Sequence, residues 1–421
     1  MRLLMLTPQL PYPPRQGTTM RNYHLIAHLA RRHEVHLLTF VEREGQMDQA
    51  GPLNDHCASV RVVIAPRRRL ISRLRHLILT PHPDMALRLR STDFQRALGE
   101  MASSHAFDVV QFEGIELAQY LLWLRGQRAP GLPPLPSPLP ADNTPLLVFD
   151  EHNAEYVLQQ RAFETDLRQP GRWIGAAYSF VQWRRLRRYE TRACRSADRV
   201  VAVSETDRVA LRVLSPGLEI AVVPNGVDVA HYVGYRPEPA ALPELGQASL
   251  VFVGKMDFRP NVDAMLWFAD EILPLVRRQV PEARLYVVGM QPHPRVLRLA
   301  GRPGVAITGA VADVRAYVSQ AAAVVAPLRM GGGTRLKVLE AMALGKAMVC
   351  TTVGAEGLGA TPGRELLLAD SPEAFAVATV ELLRGPQRRA TLGQAAREFV
   401  AARFDWARIV PGMEGVYTDI E

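Results

Sequence analysis

The sequence predicts an α/β protein with two Rossmann-like, doubly wound domains that face each other across a cleft. Short segments rich in Val, Ile and Leu alternate with amphipathic helical segments along the chain, which is typical of parallel sheets covered by helices. The 421 residues also exceed what a single core usually organises, at roughly 150 residues per domain. A composition of 48% hydrophobic and 22% charged residues is that of a globular protein.

Eleven apolar segments predict strands, six in the first half and five in the second. They are Arg2–Leu6, Val35–Phe40, Val60–Ile64, Asp108–Phe112, Leu146–Asp150, Arg199–Val203, Leu250–Gly254, Arg284–Val288, Val305–Thr308, Ala323–Pro327 and Ala347–Cys350. Val262–Arg278 predicts one of the intervening helices. Turn formers near Val222–Tyr232 mark the join between the two halves. We expect domains at 1–215 and 216–403, followed by a C-terminal helix at 404–421.

Other features of the chain exclude several protein classes. The N-terminal apolar run is interrupted by prolines and lacks the features of a signal peptide. No segment approaches the roughly 18 apolar residues of a membrane span. Three distant cysteines, Cys57, Cys194 and Cys350, argue against a disulfide framework or structural zinc and favour a reducing cytoplasm. The proline-rich segment 130–145 predicts a surface loop.

The net charge of +8 favours anionic partners, which include nucleic acid, acidic lipid and phosphorylated small molecules. Basic clusters lie at residues 66–75 and 183–189 in helical segments of the first domain. Two interpretations of these clusters stay open, a solvated helix face and contact with an anionic membrane.

The most informative segment is a glycine-rich turn between a predicted strand and a helix. It carries successive glycines, a capping residue, two cations and a carboxylate, namely Gly331, Gly332, Gly333, Thr334, Arg335, Lys337 and Glu340. Free N–H groups at a helix start form an anion site, and a carboxylate further along suits ribose hydroxyls. A capped helix with solvated cations is the alternative. The position after a strand, where open α/β sheets bind ligands, favours a nucleotide site.

Two more segments follow predicted strands. Gly254 and Lys255 follow the first strand of the second domain, and Lys255 would face the same diphosphate if the two loops converge. His152 follows a strand in the first domain, where Asp150 or Glu151 would orient its imidazole. A structural role for His152 is the alternative.

Together these segments resemble the GT-B glycosyltransferases, specifically the retaining enzymes of glycosyltransferase family 4. The matching segments are Pro224–Asp228, Val253–Lys255, Thr308–Val314 and Leu339–Gly345. The resemblance is strong from Pro224 to Gly354 and looser in the first half.

The resemblance implies an acceptor-binding domain at 1–215, a nucleotide-sugar-binding domain at 216–403 and a helix at 404–421 that crosses back to the first domain. It implies that Glu340 binds the donor ribose, Val311 borders the base and Lys255 contacts the diphosphate. We expect catalytic roles for His152, Lys255 and Arg335. The expected nucleotide contacts are Gly17, Gly254, Val311, Gly332, Gly333, Thr334, Lys337, Leu339 and Glu340. We expect no metal and no cofactor besides the donor.

Two positions depart from the family pattern. Gly332 stands where a glutamate commonly contacts the transferred sugar, and Asn261 stands where a second lysine often contacts the diphosphate. Arg335 and Lys337 would supply the missing positive charge. The motif resembles a branch of the family with a Gly-Thr-Arg-Leu-Lys variant.

The expected function is hexosyl transfer from a nucleotide-diphosphate sugar to a glycan or lipid-linked acceptor in polysaccharide or glycoconjugate biosynthesis. Nucleic acid is not an expected partner, and we expect the chain in the cytoplasm or peripherally at the inner face of the membrane. Two alternatives remain. A sugar-nucleotide 2-epimerase would need acid and base groups beyond His152, and a non-catalytic nucleotide-sugar or lipid-binding protein is favoured only by Gly332.

Overall fold

The computed structural model describes residues 1–14, 17–46, 50–68, 70–129, 132–133, 144–167, 171–236, 244–331 and 335–418. Contacts divide the chain into two compact units, one formed by Met1–Pro224 with Ile409–Glu421 and the other by Asn225–Arg408. Most of the proline-rich segment lies outside the described residues.

The described part of the first unit contains a parallel sheet in the order β3-β2-β1-β4-β5-β6-β7. Its strands are β1 Arg2–Thr7, β2 Glu34–Val41, β3 Ser59–Ile64, β4 Val109–Glu113, β5 Leu146–Glu151, β6 Arg199–Ala202 and β7 Ile220–Val222. The helices are α1 Gly17–Leu29, α2 Leu53–His56, α3 Leu70–Leu79, α4 Thr92–Ser104, α5 Ala118–Leu124, α6 Glu155–Leu167, α7 Trp173–Ser196 and α8 Glu205–Leu214.

The described part of the second unit repeats this winding in the order β10-β9-β8-β11-β12-β13. Its strands are β8 Ser249–Val253, β9 Arg284–Val288, β10 Val305–Gly309, β11 Ala323–Ala326, β12 Met348–Cys350 and β13 Leu367–Leu368. The helices are α9 Val229–Val233, α10 Arg259–Trp267, α11 Leu273–Gln279, α12 Pro294–Leu297, α13 Val314–Gln320, α14 Leu336–Ala343, α15 Pro372–Arg384 and α16 Pro386–Arg403. The last helix, α17 Trp406–Thr418, belongs to the first unit from Ile409 onwards.

Strand order explains the burial pattern of both sheets. β1 pairs with β2 and β4, and β8 pairs with β9 and β11, so each sheet reverses its winding beside its first strand. Leu3, Leu4 and Leu6 of β1 are essentially inaccessible to solvent, as are Leu250 and Phe252 of β8. Strands with helices on both faces need this nearly continuous apolar character.

The eleven predicted strands are confirmed to within one residue at each end. β7 and β13 lie outside the predicted strands, since they are only three and two residues long. The predicted helix Val262–Arg278 extends over residues 259–279, with a π-helical segment at Phe268–Ile272 between α10 and α11.

The units divide at Pro224 and at Arg408, whereas the sequence suggested residues 215 and 403. The first shift has a clear cause, because β7 pairs with β6 and keeps the chain in the first sheet up to Val222. The second follows from Phe404, whose carbonyl accepts a hydrogen bond from the Val227 amide of the second unit.

The three cysteines are buried and free. Among the described residues, no helix combines the length and the apolar character that crossing a membrane requires.

Candidate functional site

The predicted nucleotide site lies where the second sheet reverses its winding. Gly254 follows β8, and residues 327–335 lead from the adjacent strand β11 into α14. The carboxyl ends of these two strands border the crevice in which open α/β sheets bind ligands.

Lys337 and Asn261 join the two loops at this crevice. The Lys337 ammonium donates to Oδ1 of Asn261 at 2.7 Å and lies 4.4 Å from the centre of the Phe252 ring. Asn261 in turn donates from Nδ2 to the carbonyl of Lys255 at 2.9 Å. Lys337 of α14 therefore brings its charge to the side chain of Asn261, the position where the resemblance led us to expect a second lysine.

The environment of Lys337 destabilises its charge. Its pKa is lowered from 10.5 to about 7, first by burial and then by the nearby Arg335 guanidinium, while Glu340 acts in the opposite direction. An anion that bound here would restore the ammonium form, because opposite charge favours ionisation.

Gly254 leaves the space that this arrangement needs. A Cβ at Gly254 would lie 2.6 Å from Nδ2 of Asn261 and 2.8 Å from the Lys337 ammonium. The backbone also approaches the next strand closely, since a Cβ at Gly289 would lie 1.8 Å from the Gly254 carbonyl oxygen. Two glycines therefore permit the contact of both loops.

Glu340 lies on α14, one turn after Lys337, and hydrogen-bonds to the hydroxyl of Tyr232. Tyr232 belongs to α9, whose first turn is capped by Asp228, which accepts from the His231 amide at 3.0 Å. The Pro224–Asp228 motif thus begins the helix that carries the partner of Glu340. Burial raises the pKa of Glu340, whereas Tyr232 and Lys337 act to lower it. Glu340 and Lys337 line the same cavity, of about 20 Å³.

The remaining predicted residues of this unit occupy different surroundings. Lys255 is 47% exposed and forms an ion pair with Asp257 at 3.3 Å. Val311 is half-buried in the loop after β10, and Leu339 is fully buried with its amide bonded to the Arg335 carbonyl. Gly332, Gly333 and Thr334, including the predicted threonine cap, lie outside the described residues.

Arg335 is placed differently from the expectation. It precedes α14 instead of lying in its first turn, and its side chain is only 9% exposed. Its Nε and Nη2 donate to the carbonyl of Val353 at 3.3 and 3.2 Å, and Nη2 lies 3.7 Å from Glu356. Arg335 therefore fastens the end of the glycine-rich loop to the segment after β12.

In the first unit, His152 follows β5 and its Nε2 lies 2.8 Å from Oε2 of Glu113. The expectation that Asp150 or Glu151 orients the imidazole is therefore wrong. The parallel register places Glu113, the last residue of β4, opposite Asp150, so the carboxylate comes from the neighbouring strand. Burial lowers the pKa of His152, but the hydrogen bond and the charges of Glu113 and Asp150 outweigh it, and the pKa is raised.

The Glu113 carboxylate has a second hydrogen-bond partner besides His152. Gln111 donates to its Oε1 from Nε2, and the hydroxyl of Tyr417 on α17 donates to Oε1 of Gln111. All three residues are buried. A series of hydrogen bonds thus runs from the C-terminal helix to His152.

Asp150 has another partner, the buried Arg21 of α1. Nε and Nη2 of Arg21 donate to Oδ2 of Asp150 at 3.0 and 2.7 Å, and its Nη1 donates to the carbonyls of Val223 and Pro224. Burial raises the pKa of Asp150 to about 6 despite the charge of Arg21. Predicted Gly17 is the first residue of α1, one turn before Arg21, and its neighbour Gln16 lies outside the described residues.

Ligand atoms of Glu113, Asp150 and His152 lie within 4.8 Å of one another, a spacing that would suit a metal ion. Each carboxylate already accepts from protein donors, which are Gln111 and His152 for Glu113 and Arg21 for Asp150. The guanidinium beside Asp150 repels a cation, so the donor set does not favour a metal.

Sequence models of two families match the chain. The model of Glycosyltransferase Family 4 matches residues 15–231, about half of the chain, and that of Glycosyl transferases group 1 matches residues 247–385. The chain is 30% identical over 213 residues to a GDP-mannose-dependent alpha-(1-6)-phosphatidylinositol monomannoside mannosyltransferase of Mycobacterium tuberculosis. That alignment covers 45% of this chain and 54% of the relative, so it spans about half the length of the curated protein.

Solved structures resemble the whole chain, among them the following two. Sucrose-phosphate synthase from Thermosynechococcus elongatus superposes with a TM-score of 0.70 at 20% identity and covers 99% of this chain and 98% of its own. HepE of Anabaena, solved in complex with UDP and glucose, superposes with a TM-score of 0.66 at 15% identity and covers both chains fully (100%). At these identities the structures show a common GT-B fold.

Proposed function

The chain belongs to Glycosyltransferase Family 4, and on that premise we propose that it transfers a hexosyl group from a nucleoside diphosphate sugar to a glycan or lipid-linked acceptor. The observation that carries the proposal is the contact of Lys337 with Asn261 above Gly254. It places the Lys337 amine, which an anion would protonate, at the carboxyl edge of the second sheet, with Glu340 one turn away on α14.

The proposed donor site assigns a role to each group. Lys337 and Lys255 contact the diphosphate, and Glu340 accepts hydrogen bonds from ribose hydroxyls. Tyr232 holds the Glu340 carboxylate in place. Arg335 is a positioning residue, because its side chain is bonded to Val353. We propose that Val311 borders the base and that the glycine-loop amides at Gly332 and Gly333 contact phosphate oxygens.

In the proposed reaction the bond between the anomeric carbon and the donor phosphate oxygen breaks, and the acceptor oxygen bonds to that carbon. The acceptor proton passes to the departing phosphate oxygen, with retention of configuration. Negative charge grows on the leaving diphosphate, so cations fixed beside it stabilise the transition state more than the ground state. No metal or cofactor besides the donor is part of this proposal.

On the first unit, we propose that His152 hydrogen-bonds to the transferred sugar or to the acceptor. Its raised pKa supports this role, because a protonated imidazole is a stronger donor. Glu113 holds the ring through Nε2, which leaves Nδ1 for a hydrogen bond to the sugar or the acceptor.

We propose cytoplasmic residence with peripheral contact at an anionic membrane. The support is an apolar surface on the first unit, where Ile174, Ile78 and Trp173 are 89%, 78% and 71% exposed. Ile78 belongs to α3, whereas Trp173 and Ile174 belong to α7, which also carries exposed arginines. This combination suits an anionic lipid surface. The Mycobacterium tuberculosis relative is named for a phosphatidylinositol mannoside acceptor, which supports the same assignment.

The test is to incubate the full chain with a panel of nucleotide sugars, with and without lipid-extract acceptors, and to follow release of nucleoside diphosphate. The variant Glu340→Ala removes the proposed ribose contact, and Glu282→Ala serves as its control because Glu282 is an exposed carboxylate of the same unit. We expect acceptor-dependent release from one donor, lost in Glu340→Ala and retained in Glu282→Ala.

Three outcomes contradict the proposal. Epimerised donor without acceptor modification would identify an isomerase of the same fold. Tight donor binding without release would identify a non-catalytic binding protein. Equal activity of Glu340→Ala and wild type would remove Glu340 from the donor site.

A further inference from the structure

A cavity of about 310 Å³ lies in the first unit between α3, α7 and the segment that follows α3. Its volume falls within the range of small-molecule pockets, about 300–1,000 Å³. The described lining includes Arg73, His76, His82, Tyr178 and Arg185. None of these side chains has a role in the proposed donor site or in the contacts of His152.

Side chains of α7 hold the walls of the cavity together. Arg185 donates to the carbonyl of Leu77 at 2.8 Å and to that of His82 at 3.4 Å. One turn earlier, Gln182 accepts a hydrogen bond from the Asp84 amide at 2.8 Å. The hydrogen bonds from α7 therefore fix the positions of α3 and of the segment after it, which form the walls of the cavity.

The charges at the cavity do not balance. Arg68 and Arg73 share the carboxylate of Asp84 at 3.0 and 3.2 Å, while Arg185 is bonded to carbonyl oxygens. The described lining and its border therefore contain three guanidinium groups and one carboxylate, that of Asp84. The Tyr178 hydroxyl hydrogen-bonds to Arg73, which directs this guanidinium and a neutral hydroxyl to the same space.

Burial and nearby guanidinium groups both lower the pKa values of two histidines at the cavity. The pKa of His76 is lowered by burial and then by Arg68, Arg90 and Arg75, which outweigh Asp84. The pKa of His82 is lowered by burial and then by Arg192 and Arg185. Both rings are therefore mainly neutral near pH 7. The positive charge at the cavity comes from the guanidinium groups, which would attract an anion.

Exposed apolar side chains lie next to this cationic cavity. Ile174 is 89% exposed and stands one turn before Tyr178 on the same face of α7. Ile78 is 78% exposed and directly follows Leu77, which lines the cavity. A ligand with an anionic group and a hydrocarbon chain would satisfy both surfaces.

We propose that this cavity binds the phosphate group of a lipid-linked acceptor, with the hydrocarbon chain against Ile78 and Ile174. Guanidinium groups bind phosphate oxygens through paired, charge-assisted hydrogen bonds, and Arg73 and Arg185 offer two such groups. The assignment rests on the proposed function for the existence of an acceptor. It concerns only the first unit, so it is tested without a donor.

The test is calorimetric titration of the full chain with dihexanoyl phosphatidic acid, a water-soluble lipid phosphate, beside inorganic phosphate and dihexanoylglycerol. The variant Arg73→Gln removes one cation of the cavity, and Tyr178→Phe removes its hydroxyl partner. Arg188→Gln is the matched control, because Arg188 is exposed on the same helix and does not line the cavity. The lipid phosphate should bind wild type more tightly than the other two probes.

We expect about tenfold weaker binding in Arg73→Gln, a smaller loss in Tyr178→Phe and no change in Arg188→Gln. Equal losses in Arg73→Gln and Arg188→Gln would overturn the proposal, since general surface charge would then explain binding. Equal affinity for inorganic phosphate would overturn the lipid assignment. Binding of UDP, or of the preferred nucleoside diphosphate, is measured on the same samples and reports on folding and on the donor site independently of lipid binding. Failure here therefore differs from failure of the proposed function.

Discussion

Lys337 and Asn261 show how a lysine on one loop can take the place of a lysine expected on another. The family pattern leads to an expected lysine six residues after Lys255, and Asn261 stands there instead. The asparagine instead accepts from Lys337, which approaches from α14 at 2.7 Å. The sequence reasoning named Lys337 as a substitute, but the contact depends on the meeting of two strand ends that no spacing in the sequence specifies.

Exchanging these two residues tests the substitution. Lys337→Gln should raise the Kd for UDP or for the preferred nucleoside diphosphate by about 10–100-fold, since a hydrogen bond to a charged group contributes about 1.5–3 kcal/mol. Adding Asn261→Lys to Lys337→Gln should recover most of this loss, because the ammonium returns to the same place from the other loop. Isothermal titration calorimetry measures both. If the double variant bound the nucleoside diphosphate no more tightly than Lys337→Gln, the position of the ammonium group would not be what determines the affinity.

The pKa of Lys337 gives nucleotide binding a pH dependence. Its pKa of about 7 in the free protein should rise when a diphosphate binds, so binding above pH 7 takes up a proton. Affinity is therefore fully present below pH 7 and falls as the pH rises towards the pKa of the complex. The measurement is the Kd of a nucleoside diphosphate between pH 7 and 9. Lys337→Gln should flatten the profile, and an equally steep profile in that variant would assign the effect to another group.

Among the secondary-structure elements, the turns after β8 and β9 determine how closely the donor-site loops approach each other. The strands themselves were predictable, because their apolar runs are long enough to be recognised. The π-helical segment at Phe268–Ile272 was not predictable, since it keeps the same helical periodicity in the sequence. The short strands β7 and β13 are defined by pairing with β6 and β12 and carry little signal of their own.

Gly289→Ala should destabilise the second unit. The added Cβ would meet the Gly254 carbonyl at 1.8 Å, and the backbone of Gly289 has φ of +149°, which other residues rarely adopt. We expect a loss of about 3 kcal/mol in the free energy of unfolding and a lower Tm. Gly246→Ala is the control, because nothing lies within 4 Å of its Cβ position. The measurement is thermal unfolding followed by circular dichroism. Equal Tm values for the two variants would contradict the close approach of Gly289 to the Gly254 carbonyl.

For the molecule as a whole, two Rossmann-like units could be predicted from the sequence because the alternation of strands and helices restarts after residue 232. The surroundings of His152 could not be predicted from the sequence. Glu113 lies 39 residues away and Tyr417 lies 306 residues from Gln111, so only the sheet order and the path of the last helix bring them together. The cavity beside Arg73 is equally hidden, because its basic residues look like a solvated helix face when only their spacing is known.

The route of the chain also fixes when the first unit can be completed during protein synthesis. Its sheet is encoded before Pro224, but Tyr417 follows all of Asn225–Arg408. At roughly 5–20 residues per second, a ribosome needs on the order of ten to forty seconds to make that stretch. Throughout this interval the nascent first unit lacks the hydroxyl that supports Gln111 and Glu113. The histidine site therefore matures only after the second unit has been made, which ties the order of translation to the onset of activity.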